Sequence, residues 1–193
     1  MGEQIVLTDV GPRDGLQNQP RILEIDERLA LINAIAASGV GAIEVGSFVS
    51  PKAVPAMAGT DVLVSRLPEN GVHYSALIPN MKGYELAREA GVRAVNMVLY
   101  ASEGMAKANV NMTIAEAEEV AAEILVCARN DGIEVIAALA VAFACPFGGA
   151  TDPGIVRSAV SKFLDLGVDQ LVLADTIGAA NPQEVRAMTL DLV

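Results

Sequence analysis

Gln4-Ile5-Val6-Leu7-Thr8, followed by Asp9-Val10-Gly11-Pro12-Arg13-Asp14-Gly15-Leu16-Gln17-Asn18, reads as an apolar, β-branched strand that stops abruptly at a polar turn. Pro12 removes a backbone donor and Gly15 permits conformations closed to other residues, so the strand ends there. Just past that end stand a guanidinium (Arg13), a carboxylate (Asp14) and two amides (Gln17, Asn18). In α/β proteins, ligands bind where strands run out into such loops.

Outward from this stretch one pattern recurs: a helix-ending Gly, then Val or Ile, then an apolar run. It appears at Gly39-Val40, Gly71-Val72, Gly91-Val92, Gly132-Ile133 and Gly167-Val168. Each Gly fits the position after a helix, where a left-handed residue closes the last turn. Each following run reads as a buried strand. Helix starts fall where the repeat needs them. Thr113-x-x-Glu116 is a capping box, Asp152-Pro153 and Asn181-Pro182 pair a cap with a first-turn proline, and Asp26 precedes an apolar face of Leu29, Ile32 and Ala36. Strands are expected near residues 4–8, 42–46, 73–78, 94–99, 134–141 and 170–174. Strand alternating with helix means a parallel sheet.

A doubly wound sheet and a (β/α)8 barrel both fit this alternation. The barrel is favoured because nearly every strand carries polar groups at its C-terminal end: Arg13-Asp14, Glu44 and Ser47, Pro79-Asn80, Asp175-Thr176. No Gly-rich phosphate fingerprint follows the first strand. The expected fold class is therefore α/β, a TIM (β/α)8 barrel with about six βα units present, forming one incomplete domain over residues 1–193. A longer parent barrel, of which this is the N-terminal part, is the accompanying expectation.

Composition narrows the function classes. Hydrophobic residues make up 52% of the 193, charged residues 19%, and the net charge is -11. That balance supplies a core and excludes disorder, and it argues against nucleic acid or an anionic membrane surface as partner. Two cysteines, Cys127 and Cys145, are too few for a disulfide scaffold and suit a reducing compartment. No apolar run reaches membrane-spanning length and the first strand starts too early to leave room for a signal peptide, so a cytoplasmic protein is expected.

Among the candidate residues, Glu44 stands in an apolar strand and a buried carboxylate needs a partner; Arg13, from the neighbouring strand's end, is the natural one. Asp14 suits a hard divalent cation, but an Asx-turn or a salt bridge to Arg13 explains it as well. Asp175 closes an apolar strand, and since Asn181 already caps the next helix, a functional role is favoured for Asp175. His73, the only histidine, starts the third strand and reads as structural. Cys127 reads as core, and Cys145 as loop packing, since no histidine stands by to activate it. Asn109-Val110-Asn111 reads as a solvated loop, with ligand contact as the minority alternative.

Taken together, these stretches resemble 3-hydroxy-3-methylglutaryl-CoA lyases. The resemblance lies in Val10 to Asn18, Ile43-Glu44-Val45-Gly46-Ser47-Phe48-Val49-Ser50-Pro51-Lys52, Pro79-Asn80-x-Lys82-Gly83, Ala101-Ser102-Glu103, Asn109-x-Asn111, Cys145-Pro146-Phe147 and Asp175-Thr176-Ile177-Gly178. It implies a TIM-barrel metallolyase that cleaves an acyl-CoA by a retro-Claisen step, giving acetyl-CoA and acetoacetate. It further implies a divalent cation, Mg2+ or Mn2+, held by Asp14, with Arg13 stabilising the enolate, Glu44 orienting Arg13 and Asp175 aiding proton transfer. Gln17, Ser47, Asn109 and Thr176 would line the substrate, and the protein would be a dimer. The family's His-x-His pair is not in this sequence, which has one histidine, so these residues alone are expected neither to hold the metal tightly nor to turn over. A Claisen-type acyltransferase of the isopropylmalate or homocitrate synthase kind shares the Arg-Asp-Gly turn; Pro12 and Leu16-Gln17-Asn18 favour the lyase. An inactive, truncated barrel is the non-enzymatic alternative.

Overall fold

The computed structural model describes residues 5–192. They form two compact units, residues 5–95 with Asp131–Ile133 and Asn96–Asn130 with residues 134–192. Five glycines expected to end helices, Gly39, Gly71, Gly91, Gly132 and Gly167, all have positive φ, between 68° and 91°. A side chain in that region is strained, which is why the sequence marks these corners with glycine.

In the first unit β1 (Thr8–Asp9), β2 (Ala42–Ser47) and β3 (His73–Leu77) lie side by side and parallel, and β4 (Ala94–Tyr100) begins. Helices α1 (Ile25–Ala37), α2 (Thr60–Ser65) and α3 (Met81–Glu89) alternate with them. Leu29 and Ile32 of α1 and Leu63 of α2 pack on Ile43 and Val45 of β2, the core of this unit. All six residues of β2 are buried, as befits a strand covered on both faces.

The second unit contains most of β4, then β5 (Glu134–Ala140) and, parallel to β5, the strand β8 (Gln170–Leu173). A short antiparallel hairpin, β6 (Ala144–Cys145) and β7 (Gly149–Ala150), follows β5. Helices α4 (Glu103–Val110), α5 (Ile114–Asp131), α6 (Pro153–Asp165) and α7 (Pro182–Leu192) complete it. The buried residues of α6, Val156, Ala159, Val160 and Phe163, recur at i, i+3, i+4 and i+7, and those of α5 repeat the spacing at Ala121, Ile124, Leu125 and Ala128. The caps fall as expected. Thr113 Oγ1 accepts from Glu116 N–H while Glu116 returns a carboxylate to Thr113 N–H, Asp152 caps Gly154, and Asn181 and Glu184 cap each other.

Three expectations need correction. The first strand is not residues 4–8: Gln4 lies outside the described residues, and only Thr8 and Asp9 pair, with Ala42 and Ile43. Ile5, Val6 and Leu7 are 83%, 67% and 70% exposed, so their apolar pattern is not matched by burial. β1 stands at the edge of the described sheet with β2 as its neighbour, so the chain leading into it is covered on one side only. Asn109 sits not in a loop but on α4, which starts at a Ser102 cap and ends at Asn111 with φ 55°. α1 is capped by Glu24, paired with Glu27, rather than by Asp26.

The fifth strand ends one residue early because Val141 has φ 56°. That conformation is an outlier for a β-branched residue and stores about 1–3 kcal/mol. The position is over-determined from both sides. Val141 N–H donates to Thr176 Oγ1 (2.9 Å), and Thr151 Oγ1 donates to the Val141 carbonyl (2.6 Å). Among the described residues no helix is long and apolar enough to cross a membrane.

Candidate active site

The turn after β1 is a π-helical turn over Gly11–Gly15: the Val10 carbonyl accepts from the N–H groups of Arg13 (3.2 Å), Asp14 (2.8 Å) and Gly15 (3.3 Å). Such turns are rare and are frequent at functional sites. Asp9 Oδ1 accepts from Gly11 N–H at 2.8 Å, and a Cβ on Gly11 would lie 2.9 Å from that same oxygen, so a side chain there would push the Asp9 carboxylate aside.

Arg13 projects from this turn onto β2. Its Nε donates to Glu44 Oε1 (2.7 Å) and its Nη2 to Glu44 Oε2 (3.1 Å), a two-point pair that fixes the plane of the guanidinium. Its Nη1 donates to Asp14 Oδ1 at 2.8 Å. The Arg13 side chain is 17% exposed and that of Glu44 5%, so the pair is largely shielded from water while one edge of the guanidinium reaches it. An arginine has five N–H donors and these bonds use three, which leaves two for an incoming oxygen. Gln17 Nε2 donates to the same Asp14 Oδ1 at 2.9 Å.

An irregularity in β2 sets the face on which Ser47 lies. Glu44 lies opposite Ser75 but Gly46 lies opposite Ala76, so one residue of β2 is left over between them. Without the bulge, residues 44 and 47 would face opposite sides of the sheet. With it, Ser47 pairs with Leu77, two residues beyond Ser75, and shares the face of Glu44. Ser47 Oγ is fully buried and has no hydrogen-bond partner among the described residues. A buried hydroxyl left open in this way is uncommon in a folded protein.

The second unit carries the other sequence-derived candidates. Both carboxylate oxygens of Asp175 accept backbone N–H groups, Oδ1 from Ala179 (2.9 Å) and Oδ2 from Ala180 (3.1 Å). Asn181 does cap α7, yet Asp175 also organises the loop before it. The Thr176 hydroxyl oxygen is taken up by Val141 N–H, and Asn109 Nδ2 donates to Tyr100 Oη at 3.4 Å. Burial pushes the Tyr100 phenol up, and the bond from Asn109 partly opposes it. Thr176→Val is expected to cost about 1–3 kcal/mol in thermal or denaturant unfolding, because it strands the buried N–H of Val141; Thr176→Ser, which keeps the acceptor, is expected to unfold like the parent.

Cys145 is buried, with its thiol 3.1 Å from the Ser102 hydroxyl and accepting from Phe147 N–H at 3.4 Å. Burial pushes this thiol up, but the Ser102 hydroxyl and the N–H groups of Phe147 and Gly148 outweigh it and hold the thiol below its ordinary value. Loop packing, the reading favoured from sequence, describes its surroundings. For a cation, Asp14 offers a carboxylate that is 56% exposed at the strand's end, suitable as one oxygen ligand. Among the described residues no group of three His, Cys, Asp or Glu side chains is gathered in one place.

Residues 4–193 match the HMGL-like family model. The chain is 42% identical over 197 residues to an (R)-citramalyl-CoA lyase of Chloroflexus aurantiacus, covering 96% of this chain and 62% of that protein. It is 40% identical over 183 residues to a hydroxymethylglutaryl-CoA lyase of Pseudomonas mevalonii, covering 94% and 61%. An HMG-CoA lyase of Acinetobacter baumannii, solved with coenzyme A and 3-methylmalate, superposes with a TM-score of 0.91 at 36% identity, covering 97% of this chain and 63% of that one. The chain thus spans a little over three fifths of the length of these relatives. The fold class is the one expected, the α/β TIM barrel of these lyases, with six of its βα units in this chain.

Proposed function

The chain belongs to the HMGL-like family, and on that premise we propose that it works in a carbon–carbon lyase acting on a 3-hydroxyacyl-CoA, with 3-hydroxy-3-methylglutaryl-CoA as the substrate. The observation that carries this reading is Arg13, anchored through two bonds to Glu44 and one to Asp14 with two donors left over. Retro-Claisen cleavage removes the proton of the substrate's tertiary hydroxyl, breaks the adjacent C–C bond and leaves its electron pair on the acetyl-CoA fragment as an enolate. Charge grows on the thioester oxygen as the bond breaks. A guanidinium already fixed in direction stabilises that oxygen without reorganising. Glu44, held off from water, serves as the anchor that sets this direction. In the proposal Gln17, Ser47, Asn109 and Thr176 bind substrate, and Ser47 brings the open hydroxyl that such a role needs.

Asp175 is proposed to take part in proton transfer, on a loop its own carboxylate orders. A divalent cation, Mg2+ or Mn2+, would polarise the substrate's oxygens when bound, with Asp14 as one of its ligands. Asp14→Asn is expected to weaken Mn2+ binding at least about tenfold, by the loss of a hard anionic oxygen. Titration followed by electron paramagnetic resonance checks this, and unchanged affinity removes Asp14 from the ligand set. Residues 1–193 would form part of a single catalytic barrel domain in a cytoplasmic homodimer, a location in keeping with two free cysteines.

Acetyl-CoA release separates this reading from a Claisen-type acyltransferase, which would consume acetyl-CoA. Release from citramalyl-CoA in preference to 3-hydroxy-3-methylglutaryl-CoA would keep the reaction class and reassign the substrate.

A further inference from the structure

Arg28 of α1 is 1% exposed, the largest fully buried side chain described. Its Nη1 donates to the Ala58 carbonyl (3.0 Å), and its Nη2 to the Val45 carbonyl (3.4 Å) and to Thr60 Oγ1 (3.4 Å). A fourth contact runs from Nη2 to Met57 Sδ (4.0 Å); all four acceptors are uncharged, and Nε has no partner among the described residues. A guanidinium kept from water without a carboxylate is costly, so a position that keeps one has a use for its donors.

The use is visible in β2. Val45 lies between Glu44, opposite Ser75, and Gly46, opposite Ala76, and so belongs to the bulge where the ladder with β3 is interrupted. Arg28 supplies a donor to the carbonyl of this residue. Gly46 completes the fit: a Cβ there would lie 2.8 Å from Arg28 Nη2 and 2.8 Å from Thr60 Oγ1, so the guanidinium occupies the space that any side chain would need. Thr60 Oγ1 is itself tied down, donating to the Met57 carbonyl at 2.8 Å.

We propose that Arg28 is a positioning residue: from the helix side of β2 it pins the bulge at Val45, and the bulge aims both Glu44, the anchor of Arg13, and Ser47 toward the site. The catalytic consequence rests on the proposed function; the structural one does not.

The test reads the Arg13 Nε–H by nitrogen-15 NMR in the whole protein, comparing Arg28→Met and Arg28→Lys with Leu63→Ala. Leu63 packs in the same core but is not among the residues bonded to the bulge, so its variant reports general loosening. All are compared at a temperature where circular dichroism shows each fully folded. Hydrogen exchange at Arg13 Nε is expected to speed up at least about tenfold in Arg28→Met, to return within about threefold of the parent in Arg28→Lys, and to stay at the parent rate in Leu63→Ala. In the same samples kcat for acetyl-CoA release is expected to fall at least about tenfold in Arg28→Met with little change in KM.

Unchanged exchange in Arg28→Met overturns the proposal, and so does an equal acceleration in Leu63→Ala, which would make Arg28 ordinary core. Should Arg28→Met fail to fold, Gly46→Ala displaces the guanidinium instead and is expected to show the same exchange pattern; a parent-like rate there overturns the proposal. If exchange follows the expectation but the parent releases no acetyl-CoA, the proposed reaction falls and the positioning role stands.

Discussion

Arg13→Met is expected to lower kcat for acetyl-CoA release by at least about a thousandfold, on the order of 4 kcal/mol of barrier, while the protein still folds. The loss comes from removing the group that meets the enolate oxygen as charge develops there. The variant is also expected to be less stable. Glu44, 5% exposed, loses both donors that hold its carboxylate. That stability cost is put at about 2–3 kcal/mol, below the roughly 3–5 of a fully buried pair because Arg13 keeps some contact with water. Arg13→Lys separates the two effects. A lysine keeps the charge but cannot bridge Glu44 at two points and Asp14 at a third, so stability is expected to recover further than activity. Steady-state kinetics beside thermal melts check both. A loss of less than about tenfold in Arg13→Met, roughly 1.4 kcal/mol, would remove Arg13 from the enolate-stabilising role.

Glu44→Gln is the second large effect expected, a fall in kcat of about a hundredfold or more. The amide has nearly the carboxylate's shape, but one of its two ends is now a donor. That end faces either Arg13 Nε, at 2.7 Å in the parent, or Nη2, at 3.1 Å, and two donors cannot share such a contact. The guanidinium then turns away, retaining only its bond to Asp14. Because Glu44 acts by orienting Arg13 and not by touching substrate, KM is expected to change less than kcat. A Glu44→Gln enzyme with parental kcat would show that the two-point anchor is unnecessary.

Local chemistry was legible in the sequence wherever one residue settles one geometry. The five helix-ending glycines carry positive φ because little else tolerates it, and the boxes at Thr113 and Asn181 form because their partners lie three residues away. The Arg13–Glu44 pair could be anticipated from a lone carboxylate in an apolar strand beside a lone guanidinium. Burial that depends on neighbours could not. Ile5-Val6-Leu7 has the composition of a buried strand, yet only Thr8 and Asp9 pair with β2. The common face of Glu44 and Ser47 was hidden for a related reason. Their spacing of three puts them on opposite sides, and only the bulge reverses that. Gly46 inside a strand was the available sign of a bulge or a close approach, and the structure shows both. Arg28 looked like any helical arginine, since nothing local tells a solvated guanidinium from one that bonds a strand seventeen residues away.

The central claim is tested most directly by supplying 3-hydroxy-3-methylglutaryl-CoA with Mg2+ or Mn2+ to the protein as its host makes it, and following the thioesters by mass spectrometry. Acetyl-CoA and acetoacetate appearing in equal amounts, and disappearing together in Arg13→Met, is the expected result. No acetyl-CoA from this or any other 3-hydroxyacyl-CoA, or acetyl-CoA consumed instead, would contradict the account.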